Sequence, residues 1–234
     1  MAFSFILSGT SSELNFDFNP PIYLEDDINY EIGLVNFDSF YSIPNVDETN
    51  NTFIWWDEVN QKHTVKIPTG AYEINNLMEV MQRKIINEDD DAVITMSLDI
   101  NTSKVILRTN RKISFDVENS LCVVLGFNKQ IVEAENNTVG NSPVQILKVN
   151  AICIDCNLAV GSYLNGRPVH IIHEFFPAVS PGYKIIETPQ NTIYYPVTLK
   201  RINNVRIRII DQDGELINFR GEVRTVRLHL RQVK

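Results

Sequence analysis

The residues best equipped for chemistry are Cys153 and Cys156, spaced Cys-x-x-Cys, and His170 and His173, spaced His-x-x-His. Two thiolates and two imidazoles could close a tetrahedral zinc site. Both pairs, however, fall in segments that read as β-strands, and residues three apart in a strand project to opposite faces. Neither pair chelates without a turn, and no turn residue separates its members, so structural Cys and His are expected rather than a metal. Asp211-Gln212-Asp213-Gly214 resembles part of a calcium loop. With Gly214 as the loop's turn glycine, the first and last ligand positions would fall on Ile209 and Arg220, and neither supplies a carboxylate. A hairpin turn accounts for these four residues, as it does for Asn165-Gly166.

Nothing else in the chain is arranged for catalysis. There is no Gly-x-Ser-x-Gly, His-Glu-x-x-His, phosphate loop or dinucleotide fingerprint. His63, His170, His173 and His229 all sit in strand-like contexts, and the acidic runs Glu25-Asp26-Asp27 and Glu88–Asp91 read as solvated loops. No catalytic residue, cofactor or metal is expected, and the chain is read as a non-enzyme.

Charge is distributed unevenly. The net charge is −8, yet from Lys200 onward nine Lys or Arg face four Asp or Glu, leaving about +5 there and about −13 on the first 199 residues. Within that tail Arg206 and Arg208 share one face of a predicted strand, opposite Val205, Ile207 and Ile209. Arg227 and Arg231 share a face with Thr225 and His229, opposite Val226, Leu228 and Leu230. Two readings remain open for Arg206, Arg208, Arg227 and Arg231. They form either a solvated face paired with cross-strand acids or an interface to an acidic neighbour or to packaged nucleic acid.

The elements that must position these side chains are mostly strands. Short runs of Val, Ile, Thr, Tyr and Phe alternate with polar residues between Asn, Asp, Gly and Pro punctuation, and no helical pattern separates them to supply parallel crossovers. This predicts an all-β fold, a single jelly roll or antiparallel sandwich, over 1–51 and 128–234. An inserted α+β subdomain, hairpin then helix then hairpin, is predicted at 52–127. Its helix carries Ile74, Leu77, Met78, Met81 and Ile85 on one face, with Asn75 and Asn76 near its start. Glu133–Ser142 reads as a polar loop. The 44% hydrophobic and 21% charged composition is that of a globular chain and argues against disorder. No run of about 18 apolar residues suggests a membrane span, and Met1–Gly9 has no basic region before its apolar stretch, so no signal peptide is expected. Three cysteines, an odd number, point to a reducing folding compartment.

One further pattern is carried by specific runs. They are Leu164-Asn165-Gly166-Arg167 leading to His173-Glu174-Phe175, Pro181-Gly182-Tyr183, Val205–Gly214, Phe219-Arg220-Gly221-Glu222 and Val226–Arg231. Upstream lie Ile43-Pro44-Asn45, Ile67–Tyr72 and Leu125-Gly126-Phe127. With these runs the chain resembles the penton, or vertex, capsid proteins of adintovirus and Polinton/Maverick-type double-stranded DNA viruses and elements. The resemblance implies a structural virion protein with a single jelly roll, present as homopentamers that grip the major capsid protein at icosahedral vertices. It also implies that the insertion can stand as an outer domain. A ring of five needs complementary flanks, and Glu25-Asp26-Asp27 with the arginine stripes are candidates for such a pair. The alternative is a jelly-roll module that binds a carbohydrate or cell-surface receptor, with Trp55-Trp56 as its aromatic platform; adjacent strand residues face opposite ways, so only one of the two could serve.

Overall fold

In the computed structural model, which describes residues 2–233, the alternation seen in the sequence resolves into long strands with one buried face. Met1 and Lys234, the latter counted in the basic tail, lie outside the described residues. The chain divides into two units, Met1–Ile43 with Val149–Lys234, and Pro44–Lys148.

The first unit opens with three strands, β1 (Ala2–Gly9), β2 (Glu13–Tyr23) and β3 (Tyr30–Phe40). They turn Phe5, Leu7, Leu14, Ile32, Leu34 and Phe37 inward. In β3 the inward parity changes between Leu34 and Phe37 because its register against the last strand slips by one residue there, a β-bulge.

The second unit follows with β4 (Thr52–Trp56), β5 (Lys62–Lys66), α1 (Ile74–Ile86), β6 (Ile94–Asp99), β7 (Lys104–Thr109), β8 (Ile113–Ser114), α2 (Cys122–Leu125), β9 (Ile131–Val132) and β10 (Asn137–Val139). Two small antiparallel sheets form, ordered β5-β4-β8-β9 and β10-β7-β6. The apolar face of α1, Leu77, Met78, Met81 and Ile85, packs into the same core as Phe53, Trp55, Leu107, Phe115 and Leu125. Its N-cap is Glu73, without a side-chain cap, so neither Asn75 nor Asn76 caps it. Gly126 ends α2 at φ +74°, and a Cβ there would come within 2.2 Å of the Ser142 carbonyl oxygen, a position only glycine fills without strain.

This unit is wider than the 52–127 read from the sequence. At its start, Asn45 donates from Nδ2 to the Tyr72 and Ile146 carbonyls, and Val46 bridges Gly70. At its end, Lys148 pairs with Asp47 at 2.5 Å. The expected polar loop at 133–142 contains β10, which adds to the edge of β7.

The chain then returns to the first unit through β11 (Ile152–Cys156), β12 (Ser162–Leu164), β13 (Arg167–Val169), β14 (Ile171–Phe175), β15 (Lys184–Glu187), β16 (Tyr195–Val197), β17 (Arg201–Ile210) and β18 (Arg224–Gln232). Two sheets result, β1-β18-β3-β15, with β16 also on β3, and β14-β11-β17-β2. Their inward faces share one core, in which Ile154, Cys156, Val205, Ile207 and Ile209 of one sheet meet Ile32, Leu34, Val226, Leu228 and Leu230 of the other. Each fully buried aliphatic side chain contributes about 1.5–3 kcal/mol.

The pairing order defines the topology. Among the eight principal strands of this unit, the first pairs the last (β1 with β18), the second the seventh (β2 with β17), the third the sixth (β3 with β15) and the fourth the fifth (β11 with β14). All four pairs are antiparallel, as in a long hairpin rolled into a two-sheet jelly roll. The all-β jelly roll read from the sequence is therefore the fold, and the second unit enters between the third and fourth strands of the roll. No helix among the described residues is long and apolar enough to cross a membrane.

Candidate functional site

The four arginines singled out in the sequence project outward, but not from one surface. Arg206 and Arg208 lie on β17 and Arg227 and Arg231 on β18, and these strands belong to different sheets. Each pair opposes core residues on its own strand, so each occupies the outer face of a separate sheet. Alternation reveals which residues share a face of a strand; it does not reveal which sheet the strand joins.

Their surroundings also differ. Arg206 is exposed, stands opposite Asn15, and its guanidinium has no partner among the described residues. Arg208 is half-buried, lies between Glu13 and Asp155 on the neighbouring strands, and reaches the Gly214 carbonyl at 3.4 Å. Arg227 is exposed between Ile6 and Asn36 and is likewise unpartnered among the described residues. Arg231 donates to Glu31 at 3.1 and 3.3 Å and lies 3.5 Å over the ring of Tyr194, whose hydroxyl meets His229 at 2.9 Å. The segment carrying Tyr194 approaches the sheet so closely at Gly33 that a Cβ there would meet the Ile193 carbonyl oxygen at 2.8 Å. A fifth arginine of the basic tail, Arg224, is 2% exposed and stacks 4.7 Å from Phe219, with burial depressing its pKa, so it adds nothing to the surface charge.

The cysteines and histidines lie apart from one another in role. Cys153 is on the outer side of β11 and Cys156 in the core, and burial pushes both thiols up to about 11. His170 Nδ1 donates to the Ala159 carbonyl at 2.6 Å, while His173 Nε2 meets Glu187 at 2.9 Å, joining the edge strands of the two sheets. No group of three or more His, Cys, Asp or Glu among the described residues is placed to hold a metal. Asp211–Gly214 is a hairpin turn: Asp211 Oδ1 accepts from the Asp213 and Glu215 amides at 2.9 Å, and Gly214 takes φ +86°. Of the two tryptophans, Trp55 is fully buried against His63, and Trp56 is half-buried with Lys112 5.3 Å from its ring centroid.

The flanks of the roll carry apolar surface that the sequence pattern did not reveal. On one flank the edge strands β1 and β2 hold a chain of rings, Phe3, Phe5, Phe18 and Phe16, with successive centroids 6.4, 5.6 and 5.3 Å apart. Phe5, Phe18 and Phe16 line a groove of about 210 Å3. Beside the groove β2 leaves its ladder with β17 between Asp17 and Ile22. Ile6 and Phe16 are 60% and 57% exposed there. On the opposite flank, the β15 edge exposes Tyr183 (68%) and Ile186 (67%). Exposed large apolar side chains gathered along sheet edges mark association surfaces.

No protein-family model matches this sequence, and no curated protein matches it. Among solved structures the chain is similar to the crystal structure of the selenomethionine-labelled mavirus penton protein, with a TM-score of 0.53 and 10% identity over 100% of both chains. At that identity the likeness is one of fold.

Proposed function

We propose that this chain is a structural capsid protein that occupies icosahedral vertices as rings of five copies and contacts the surrounding major capsid protein within the virion. The observation that carries the reading is the likeness in fold to a penton protein over the full length of both chains, insertion included. The roll's own surface supports it. A closed ring is built from heterologous contacts in which one flank of each copy meets the other flank of the next. The aromatic groove of β1 and β2 supplies one such flank, and the β15 edge with Tyr183 and Ile186 supplies its partner. In this reading Arg206 and Arg227, the outward arginines without partners among the described residues, face acidic surface on the neighbouring capsid protein. Packaged DNA is the weaker partner, because Arg208 is half-buried with its Nη2 turned to the Gly214 carbonyl and Arg231 is held by Glu31, leaving no continuous row of free cations on either sheet.

The test is a cross-link between flanks. Cysteines introduced as Phe16→Cys and Ile186→Cys in one chain, treated with a short bismaleimide, should give a ladder of products ending at five chains. Either substitution alone should give none, because the native cysteines are buried. A dimer formed by one single variant would mean a two-fold contact and would overturn the ring.

A further inference from the structure

The outer face of the β14-β11-β17 sheet carries a trough of about 350 Å3, of a size that takes one or two side chains of a bound segment. Its floor is apolar: Ile171, Ile210 and Cys153 form a small cluster with Ala151 separate from the main core. Leu164 and Val169 of the β12–β13 hairpin wall one end, and the Asp211–Gly214 turn walls the other. Over this floor stand four carboxylates, Asp155, Glu174, Asp211 and Asp213, against one guanidinium, Arg208, and the His170 ring, whose Nδ1 is bonded to the Ala159 carbonyl.

The state of those carboxylates decides what fits. Asp211 is engaged by turn amides and Asp213 by the Gln212 amide. Asp155 and Glu174 have no hydrogen bond or ion pair among the described residues. Arg208 does not relieve Asp155, because its Nη2 is turned to the Gly214 carbonyl instead. The negative field reaches the floor, where Glu174 and Asp211 add to burial in raising the Cys153 thiol. A metal ion is disfavoured, since these carboxylates are not gathered to ligate one. An anion is repelled, and a neutral apolar ligand would leave the acids unanswered. What satisfies both parts is a cation on an aliphatic stem, the chemistry of lysine and arginine side chains, which lay their methylenes on apolar surface while the head group meets carboxylate.

We propose that this trough is a docking site for an extended basic segment of another polypeptide, with one apolar side chain on the Ile171–Cys153–Ile210 floor and flanking Lys or Arg on Asp155 and Glu174. The proposal does not depend on the vertex reading: a monomeric chain would carry the same trough.

Binding is measured on the full chain by fluorescence anisotropy with three acetylated, amidated hexapeptides, alternating lysine with valine, lysine with serine, and glutamate with valine. The lysine–valine peptide should bind, and the other two should be at least tenfold weaker. The double variant Asp155→Asn, Glu174→Gln should lose at least tenfold in affinity while keeping its thermal midpoint. The same charge change at Glu25→Gln, Asp26→Asn should leave affinity within twofold. No binding to the unaltered chain, equal loss in both double variants, equal binding of the lysine–serine peptide, or equal displacement by spermidine would each overturn the assignment.

Discussion

The roll and its insertion place their ion pairs differently. In Pro44–Lys148 one cluster is drawn inward: Arg111, 9% exposed in its side chain, bonds Asp89 at 2.7 Å and Glu58 at 2.8 Å. His63 meets Asp57 at 3.0 Å and Glu88 at 3.1 Å while stacked on the buried Trp55. In the roll, Arg206, Arg227, Asp155 and Glu174 stay open on the outer faces, and aromatic rings stay open along a flank. The insertion thus holds a buried ion-pair cluster that ties its loops together, whereas the ion pairs of the roll, Arg231 with Glu31, His173 with Glu187 and Lys184 with Asp38, lie on its sheet faces and edges.

The sharpest way to break that contrast is through the two cores. Leu228→Ala in the roll and Leu77→Ala in the insertion each remove a fully buried leucine and should cost about 2–5 kcal/mol. Because the two belong to separate clusters, hydrogen exchange should accelerate chiefly in the unit that carries the change. Equal acceleration in both units would merge them into one cooperative body. Next in size is Gly126→Ala, which adds left-handed strain and a clash with the Ser142 carbonyl; a loss of about 3 kcal/mol is expected, read as a lower unfolding midpoint of the insertion.

Charge deletions should then separate the units directly. Arg111→Met leaves Asp89 without its guanidinium and should cost about 2 kcal/mol. Arg227→Ala, exposed and unpartnered among the described residues, should move stability by no more than about 0.5 kcal/mol. The smallest effect is with pH. The His63 hydrogen bond lowers the pKa of Asp57, the Arg111 hydrogen bond that of Asp89, and the Thr102 hydrogen bond that of Asp99, all within the insertion. A lowered carboxyl pKa stabilises the fold above the ordinary carboxylate value of about 4, and that contribution is lost as pH falls through the lowered values. Acid titration followed by tryptophan fluorescence should therefore show the insertion, which holds Trp55 and Trp56, loosening below about pH 4.

Much of this was legible in the sequence. Strand alternation located β17 and β18 and their arginines, and helical spacing located α1 with four of its five predicted apolar residues fully buried. The sequence could not reveal that β17 and β18 enter different sheets, because alternation encodes faces and not partners. It also missed β10, whose edge pairing to β7 requires no apolar face, and so placed the insertion's end too early. The aromatic flank joins rings of β1 and β2, and the trough combines four separated segments that no local pattern joins.

In the proposed vertex role the open flanks of the roll close a ring of five. Its most direct test is the absolute mass in solution by light scattering over a concentration series at low and moderate salt. A species near 134 kDa, five times the 26.8 kDa chain, that collapses to single chains in Phe16→Glu is the predicted result. A particle that remains near 26.8 kDa at every concentration, or one that settles at two chains, would contradict it.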